Sequence, residues 1–141
     1  MKKKYMRCSV CGQIVELVKD TGVGLICCGE PMEEIHPRTN DEVFAEKHVP
    51  VFKVEGNKVM VQVGSVLHPS TNDHYIQWIT LITTRGSQTK MLKPGDSPAV
   101  VFHIAPGESV LEIYEYCNIH SLWKTCVKDG KKKTQCELDM E

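Results

Sequence analysis

No stretch of this chain approaches eighteen consecutive apolar residues, so no helix long enough to span a bilayer is expected. The basic start Met1-Lys2-Lys3-Lys4 is followed, from Tyr5 to Gly12, by neither the apolar run nor the cleavage pattern of an export signal. A cytoplasmic location is the resulting expectation. An excess of charge of one sign is also lacking. With 17 Lys and Arg against 18 Asp and Glu the formal net charge is -1, and the strongly basic face needed for broad nucleic-acid binding is missing. No segment sustains the 3.6-residue apolar period of an amphipathic helix. What remains is a globular composition, 41% hydrophobic over 141 residues, sufficient for one ordinary domain and a small appendage.

The appendage is marked by cysteine. Seven cysteines are present, and Cys8, Cys11, Cys27 and Cys28 fall in one short N-terminal segment. In a reducing compartment such spacing favours a metal over disulfides. A segment of residues 1–37 is too short to stabilise itself by a core, because chains below about 40 residues usually need a metal, disulfides or a partner. Cys27 and Cys28 are unlikely bonding partners for each other: neighbouring Cα atoms lie about 3.8 Å apart, below the roughly 4.4 Å minimum of a relaxed disulfide. Four thiolates on one ion are expected instead. By spacing alone zinc is the commoner occupant, although adjacent cysteines depart from the usual zinc ribbon.

Beyond a linker, the periodicity is that of strands. In Lys58-Val59-Met60-Val61-Gln62-Val63 the valines alternate with longer or more polar side chains, and Gly56-Asn57 before them is a two-residue hairpin signal. Tyr75 to Thr84 is apolar on both faces and is expected to be a central strand. Further strands are expected at Gln88 to Leu92, Ala99 to Ile104 and Val110 to Cys117, separated by the turns Pro94-Gly95-Asp96 and Pro106-Gly107. Short strands with regular turn signals predict a mainly β fold, a β-sandwich. The charged tail from Lys128 is expected to be solvated or edge-forming.

A second donor set lies within these strands and their loops. His48, His68, His74, Cys117 and His120 offer four imidazoles and one thiolate, a mixture that suits iron better than a closed structural zinc. Five donors leave one octahedral position open. Ferrous iron with four neutral imidazoles and a thiolate carries a net charge of +1, and Lys47 beside His48 adds another positive charge, so the substrate should be a small anion. Taken singly, His68 reads as a loop residue, His74 as a surface residue and Cys117 as a buried apolar thiol. Only the ensemble, together with the family resemblance of the motifs given below, makes ligation the better reading. His36 and His103 match no ligand of the family resembled below and are read as a linker residue and an ordinary strand residue.

The strings Glu46-Lys47-His48-Val49-Pro50, Val63-Gly64-Ser65-Val66-Leu67-His68-Pro69, His74-Tyr75-Ile76-Gln77-Trp78 and Tyr116-Cys117-Asn118-Ile119-His120-Ser121-Leu122-Trp123-Lys124 resemble superoxide reductases. Together with the N-terminal cysteines they resemble the two-iron desulfoferrodoxin family, over residues 5 to 124. The resemblance implies a desulforedoxin-like iron-binding domain over 1–37, a linker over 38–45, an immunoglobulin-like sandwich over 46–126 and a charged extension over 127–141. It implies two non-heme irons. One would be held by Cys8, Cys11, Cys27 and Cys28 in a structural or electron-transfer role. The other would have His48, His68, His74 and His120 as equatorial ligands and Cys117 as the axial one. Superoxide would be reduced to hydrogen peroxide there, with Lys47 guiding the anion and Glu46 able to occupy the sixth position once iron is ferric. A donor such as rubredoxin and a homodimer are implied as partners. A zinc-ribbon adaptor and a pure electron carrier are the alternatives, separable by colour and by peroxide yield. Family members commonly end soon after the tryptophan motif. Here Cys126 and Cys136 follow, with free thiols the simplest expectation and a disulfide or a contact to a partner chain the others.

Overall fold

The computed structural model describes residues 3–39, 45–133 and 136. Most of the expected linker, the end of the charged extension and the side chain of Glu46 lie outside the described residues. The chain divides into two compact units, Met1–His36 and Pro37–Glu141.

The first unit contains β1 (Tyr5–Arg7), β2 (Ile14–Glu16), β3 (Ile26–Cys27), β4 (Glu30–Pro31) and β5 (Glu33–Ile35). Among its described residues, regular structure consists of a three-stranded sheet in the order β2-β1-β5 and the small hairpin β3-β4. Among them Tyr5 and Met32 are the buried non-cysteine side chains. Two such residues are no core, so another source of stability is required. Surface ion pairs, Lys4 with Asp20 at 2.9 Å among them, contribute little.

The second unit starts with one helical turn, α1 (Ala45–His48). It continues through β6 (Pro50–Glu55), β7 (Lys58–Val63), β8 (Ile76–Thr83), β9 (Gly86–Met91), β10 (Ala99–His103), β11 (Val110–Cys117), β12 (Ser121–Lys128) and β13 (Lys131–Lys132). The strands form a sheet β10-β7-β6 and a sheet β13-β12-β11-β8-β9, all pairs antiparallel. Gly56 takes a φ of 58° in the β6–β7 hairpin, the first-position glycine of a type II′ turn. The alternation in β7 sends Val59, Val61 and Val63 inward at 0%, 2% and 0% exposure, each burial stabilising by roughly 1.5–3 kcal/mol. They meet Ile79, Leu81, Ile113 and Val127 of the larger sheet and Phe102 of β10. The result is the expected two-sheet sandwich, with β8 interior to its sheet. The hairpin from β12 into β13 turns at Asp129 and Gly130, with φ of 54° and 74°, so this part of the tail forms a sheet edge.

Candidate metal centres and catalytic site

In the first unit, two tight turns bring four sulfurs together. The knuckle closes with Gly12 N–H donating to the Cys8 carbonyl at 3.0 Å and Cys8 N–H to that of Gln13 at 2.9 Å. Opposite it, Cys28 and Gly29 are the two residues between β3 and β4, with φ of 54° and 74°, the left-handed pair demanded by a type I′ hairpin. Cys27 ends the strand while Cys28 occupies the turn, which lets adjacent cysteines reach one point. The four Sγ atoms all lie within 4.8 Å of one another.

The thiols of this cluster perturb one another. Backbone hydrogen bonding, above all from Cys11 N–H, holds the Cys8 thiol down to about 6. The hydrogen bond to Cys8 pushes Cys27 up to about 12, and that to Cys11 raises Cys28. The protein therefore stabilises one thiolate and resists further ones. A cation at the centre removes that resistance, since thiolate is the form a metal binds. The donors fit a tetrahedral ion with four sulfurs.

The second cluster gathers donors from four places in the sandwich unit. His48 ends α1, His68 follows the turn after β7, His74 precedes β8, and Cys117 and His120 flank the β11–β12 turn. The donor atoms of His48, His74, Cys117 and His120 lie within 4.8 Å of one another. His68 borders them, its ring centroid 4.6 Å from those of His48 and His74. His48 Nε2 and His120 Nδ1 are 3.0 Å apart, the separation of two nitrogens about 2.1 Å from one ion at a right angle. His68 Nδ1 is 2.6 Å from the Pro69 carbonyl oxygen. A carbonyl can only accept, so the proton resides on Nδ1 and Nε2 keeps its lone pair. Nε2 of His68 and Nε2 of His74 are buried without a hydrogen-bond partner, an expensive arrangement unless a cation takes both.

Burial holds the imidazoles of His48, His68 and His120 neutral, which is the ligating form. It is the largest cause bringing His48 down to about 3 and His68 to about 4, and it also lowers His120. Burial raises the Cys117 thiol, so a metal must displace its proton. Lys47 is exposed beside the cluster, and its charge is among those depressing His68.

Several supporting residues escaped the sequence reading. Asn118, inside the Cys117-to-His120 turn, accepts from Tyr75 N–H and donates to the Asp73 carbonyl, both at 2.9 Å, tying that turn to the His74 segment. Gly64 has a φ of 82°, and a Cβ there would meet the Lys47 carbonyl at 2.7 Å. Glycine thus lets the end of α1 lie against the turn that carries His68. Glu115 is fully buried with Oε1 3.3 Å from His48 Nδ1; burial raises its carboxyl well above the ordinary range. Residue 115 precedes Cys117 by two and so shares its strand face, a relation that becomes informative only once the strand is known to be buried. Cys126 and Cys136, expected most simply as free thiols, are joined by a disulfide.

The two units correspond to two family models: the desulfoferrodoxin N-terminal domain matches residues 2–35 and desulfoferrodoxin matches residues 40–126. The chain is 47% identical to a desulfoferrodoxin homolog of Archaeoglobus fulgidus, over 84% of this chain and 93% of that one. It is 45% identical to a desulfoferrodoxin of Nitratidesulfovibrio vulgaris, over 84% and 91%. The crystal structure of the superoxide reductase from Treponema pallidum matches with a TM-score of 0.75 at 33% identity, covering 87% of this chain and 97% of that one. The four-cysteine and histidine-cysteine clusters fit the two iron centres of desulfoferrodoxin. With both units matched in order and both donor sets in place, the chain belongs to the desulfoferrodoxin family.

Proposed function

We propose that His48, His68, His74, His120 and Cys117 hold one iron ion, that Cys8, Cys11, Cys27 and Cys28 hold another, and that the first of these sites reduces superoxide to hydrogen peroxide. The protein is a superoxide reductase, an oxidoreductase, in line with its relatives. The observation that carries the ligand assignment is the pair of buried, unpartnered nitrogens of His68 and His74, the latter within the Cys117 cluster and the former bordering it. Ferrous iron, when bound, supplies the one electron that superoxide takes up with two protons to become hydrogen peroxide.

The rest falls to the chain. The imidazoles bind as neutral donors, and Cys117 contributes an anionic sulfur that donates electron density. Lys47 draws the anion toward the open side and holds a water at Nζ as a proton source. Glu46 is assigned the closing of that side after turnover, from its place in the motif beside Lys47. The four-cysteine centre has no donor position left for a substrate, so its role is structural or electron transfer. Residues 1–37 form that iron-binding domain, 38–45 a linker, 46–126 the reductase domain and 127–141 the extension.

Because this half-reaction releases no dioxygen, the electron must be replaced after each turnover, and a donor such as rubredoxin is assigned to that step. A homodimer follows the family's habit. A cytoplasmic location accords with five cysteines kept as thiols for metal. The test is metal analysis and a visible spectrum of protein purified without oxidant, followed by superoxide pulses. Two irons per chain, sulfur-to-iron absorption and, with the Cys126–Cys136 bridge closed, one hydrogen peroxide per superoxide are expected. A colourless zinc protein, or half that peroxide yield with dioxygen evolved, overturns the reading.

A further inference from the structure

The reductase match ends at residue 126, yet the fold continues. Past this point the chain turns at Asp129 and Gly130, lays Lys131 and Lys132 of β13 against Lys128 and Val127 of β12, and is fastened by the disulfide between Cys126 and Cys136, ten residues apart. The cleft beside this bridge is lined by both cysteines, by Lys124, Lys132 and Lys133, and by Val49. Lys124 is engaged with Glu112 at 3.0 Å. Lys132 and Lys133 have no carboxylate partner among the described residues. Val49 directly follows the donor His48, and Thr125, the neighbour of Cys126, donates its hydroxyl to the Pro50 carbonyl at 2.6 Å. The sulfur pair therefore stands among residues adjoining the histidine-cysteine site, in a cationic setting. Cations beside a cysteine favour thiolate, the form that reacts with peroxide.

We propose that Cys126 and Cys136 are a peroxide-reducing thiol pair and that the bridge is its oxidised form. The proposal rests on the superoxide reductase reading only for the source of the peroxide. Cys136 is the attacking residue because it is half-buried, whereas Cys126 is 6% exposed. The Cys136 thiolate attacks one oxygen of hydrogen peroxide; the O–O bond breaks, hydroxide leaves and is protonated to water, and Cys136 becomes a sulfenic acid. The Cys126 thiolate then attacks that sulfur; the S–O bond breaks, a second water leaves and the S–S bond forms. Peroxide has gained two electrons and each sulfur has given one. An external dithiol reopens the bridge by exchange and is itself oxidised. The extension thus removes the product made at the iron site.

The experiment uses the iron-loaded protein. Trypsin cuts after Lys124, Lys128 and Lys133, so the bridge links the peptide 125–128 to the peptide 134–141. Dithiothreitol should abolish the linked peptides in mass spectra of folded, thiol-blocked protein, and one equivalent of hydrogen peroxide should restore them, about tenfold faster than free cysteine reacts. In Cys126→Ser, dimedone should tag Cys136; in Cys136→Ser, Cys126 should stay untagged. A bridge that resists dithiothreitol in the folded protein, restoration no faster than free cysteine, or the reverse tagging pattern would overturn the proposal. A superoxide arm separates it from the reading it rests on. Protein with the pair reduced should release less than one peroxide per superoxide, and Cys136→Ser should return the yield to one. If added peroxide closes the bridge in the unsubstituted protein while superoxide yields no peroxide even in Cys136→Ser, the thiol pair stands and the reductase reading fails.

Discussion

Trp123 lies nearly parallel to His48, ring planes 10° apart and centroids 4.8 Å apart, while its cross-strand partner Glu115 reaches the same imidazole with Oε1 3.3 Å from Nδ1. One residue fixes the plane of the ring and the other its rotation within that plane. Nε2 is thereby aimed at the donor cluster. Trp123 is anchored in turn, donating from Nε1 to the His120 carbonyl at 3.0 Å, with the Arg38 guanidinium 4.4 Å above its ring. A cation at Nε2 polarises the Nδ1–H bond and favours the ionised form of Glu115, reversing the effect of its burial.

Glu115→Ala should therefore loosen iron at the histidine-cysteine site roughly 10- to 100-fold, the usual cost of losing a carboxylate behind a ligating histidine. Glu115→Gln, which can still accept from Nδ1, should recover part of the loss. Chelator competition at that site provides the measurement. Unchanged affinity in Glu115→Ala would remove Glu115 from its positioning role.

The metal-free protein should lose stability as pH falls. His48 and His68 have folded-state values of about 3 and 4 against an unfolded value of 6.5, and His120 is also lowered. Below about pH 6.5 the unfolded chain binds protons that the folded chain refuses, so unfolding is favoured progressively toward pH 4. Glu115 acts in the opposite sense: its raised value makes it stabilising when protonated, and that contribution is lost as pH rises above 4.5. Three histidines against one carboxylate should leave a net loss of stability between pH 6.5 and 4. Glu115→Gln should steepen the decline. Denaturant melts of the metal-free protein across that window, flat with pH, would contradict this account.

Much of the sandwich was legible because β7 and β8 display their periods, and Gly56-Asn57 marks a hairpin that the fold uses. The donor types were legible because cysteine and histidine are few and spaced by recognisable motifs. The supports were not. Glu115 reads as a surface charge until its strand is known to be buried on both faces, and Asn118 reads as an ordinary turn residue until the His74 segment is folded beside it. The Cys126–Cys136 bridge was illegible for a related reason, because it depends on Asp129-Gly130 reversing the chain, a turn signal hidden among lysines.

Gly64→Ala should damage the site without touching a donor. The substitution meets a left-handed φ of 82° and places a methyl group against the carbonyls of Val66 and Lys47, so the turn that carries His68 and α1 must move apart. A loss of about 1–3 kcal/mol together with reduced iron at the histidine-cysteine site is expected, measured by denaturant melts and by metal analysis. Retention of full stability and iron would mean that α1 adjusts freely.

Cys8→Ser should abolish the absorption of the four-cysteine centre and leave superoxide reduction largely intact. Cys8 is the buried member of its cluster, and its thiol is the one held lowest, so its loss should empty that centre rather than weaken it. Loss of activity with iron still present at the other site would make the N-terminal centre an obligatory part of the electron path.

Lys47 tests the electrostatic reading of the catalytic site. It is exposed, its charge is felt at His68, and the whole chain is close to neutral at a formal -1, so the attraction for a small anion must come from this neighbourhood and not from a global field. A cationic cleft can raise association rates about 10- to 1,000-fold in a salt-dependent way. Lys47→Ala should slow the second-order reaction with superoxide by about tenfold or more, equivalent to about 1.4 kcal/mol, and should flatten its dependence on ionic strength. Lys47→Arg keeps the charge and should recover most of the rate and of the salt slope. Stopped flow or pulse radiolysis across a salt series, with iron content checked in each variant, provides the measurement. An unchanged rate and slope in Lys47→Ala would return this residue to the status of a solvated surface lysine and leave the charge at the metal as the guide.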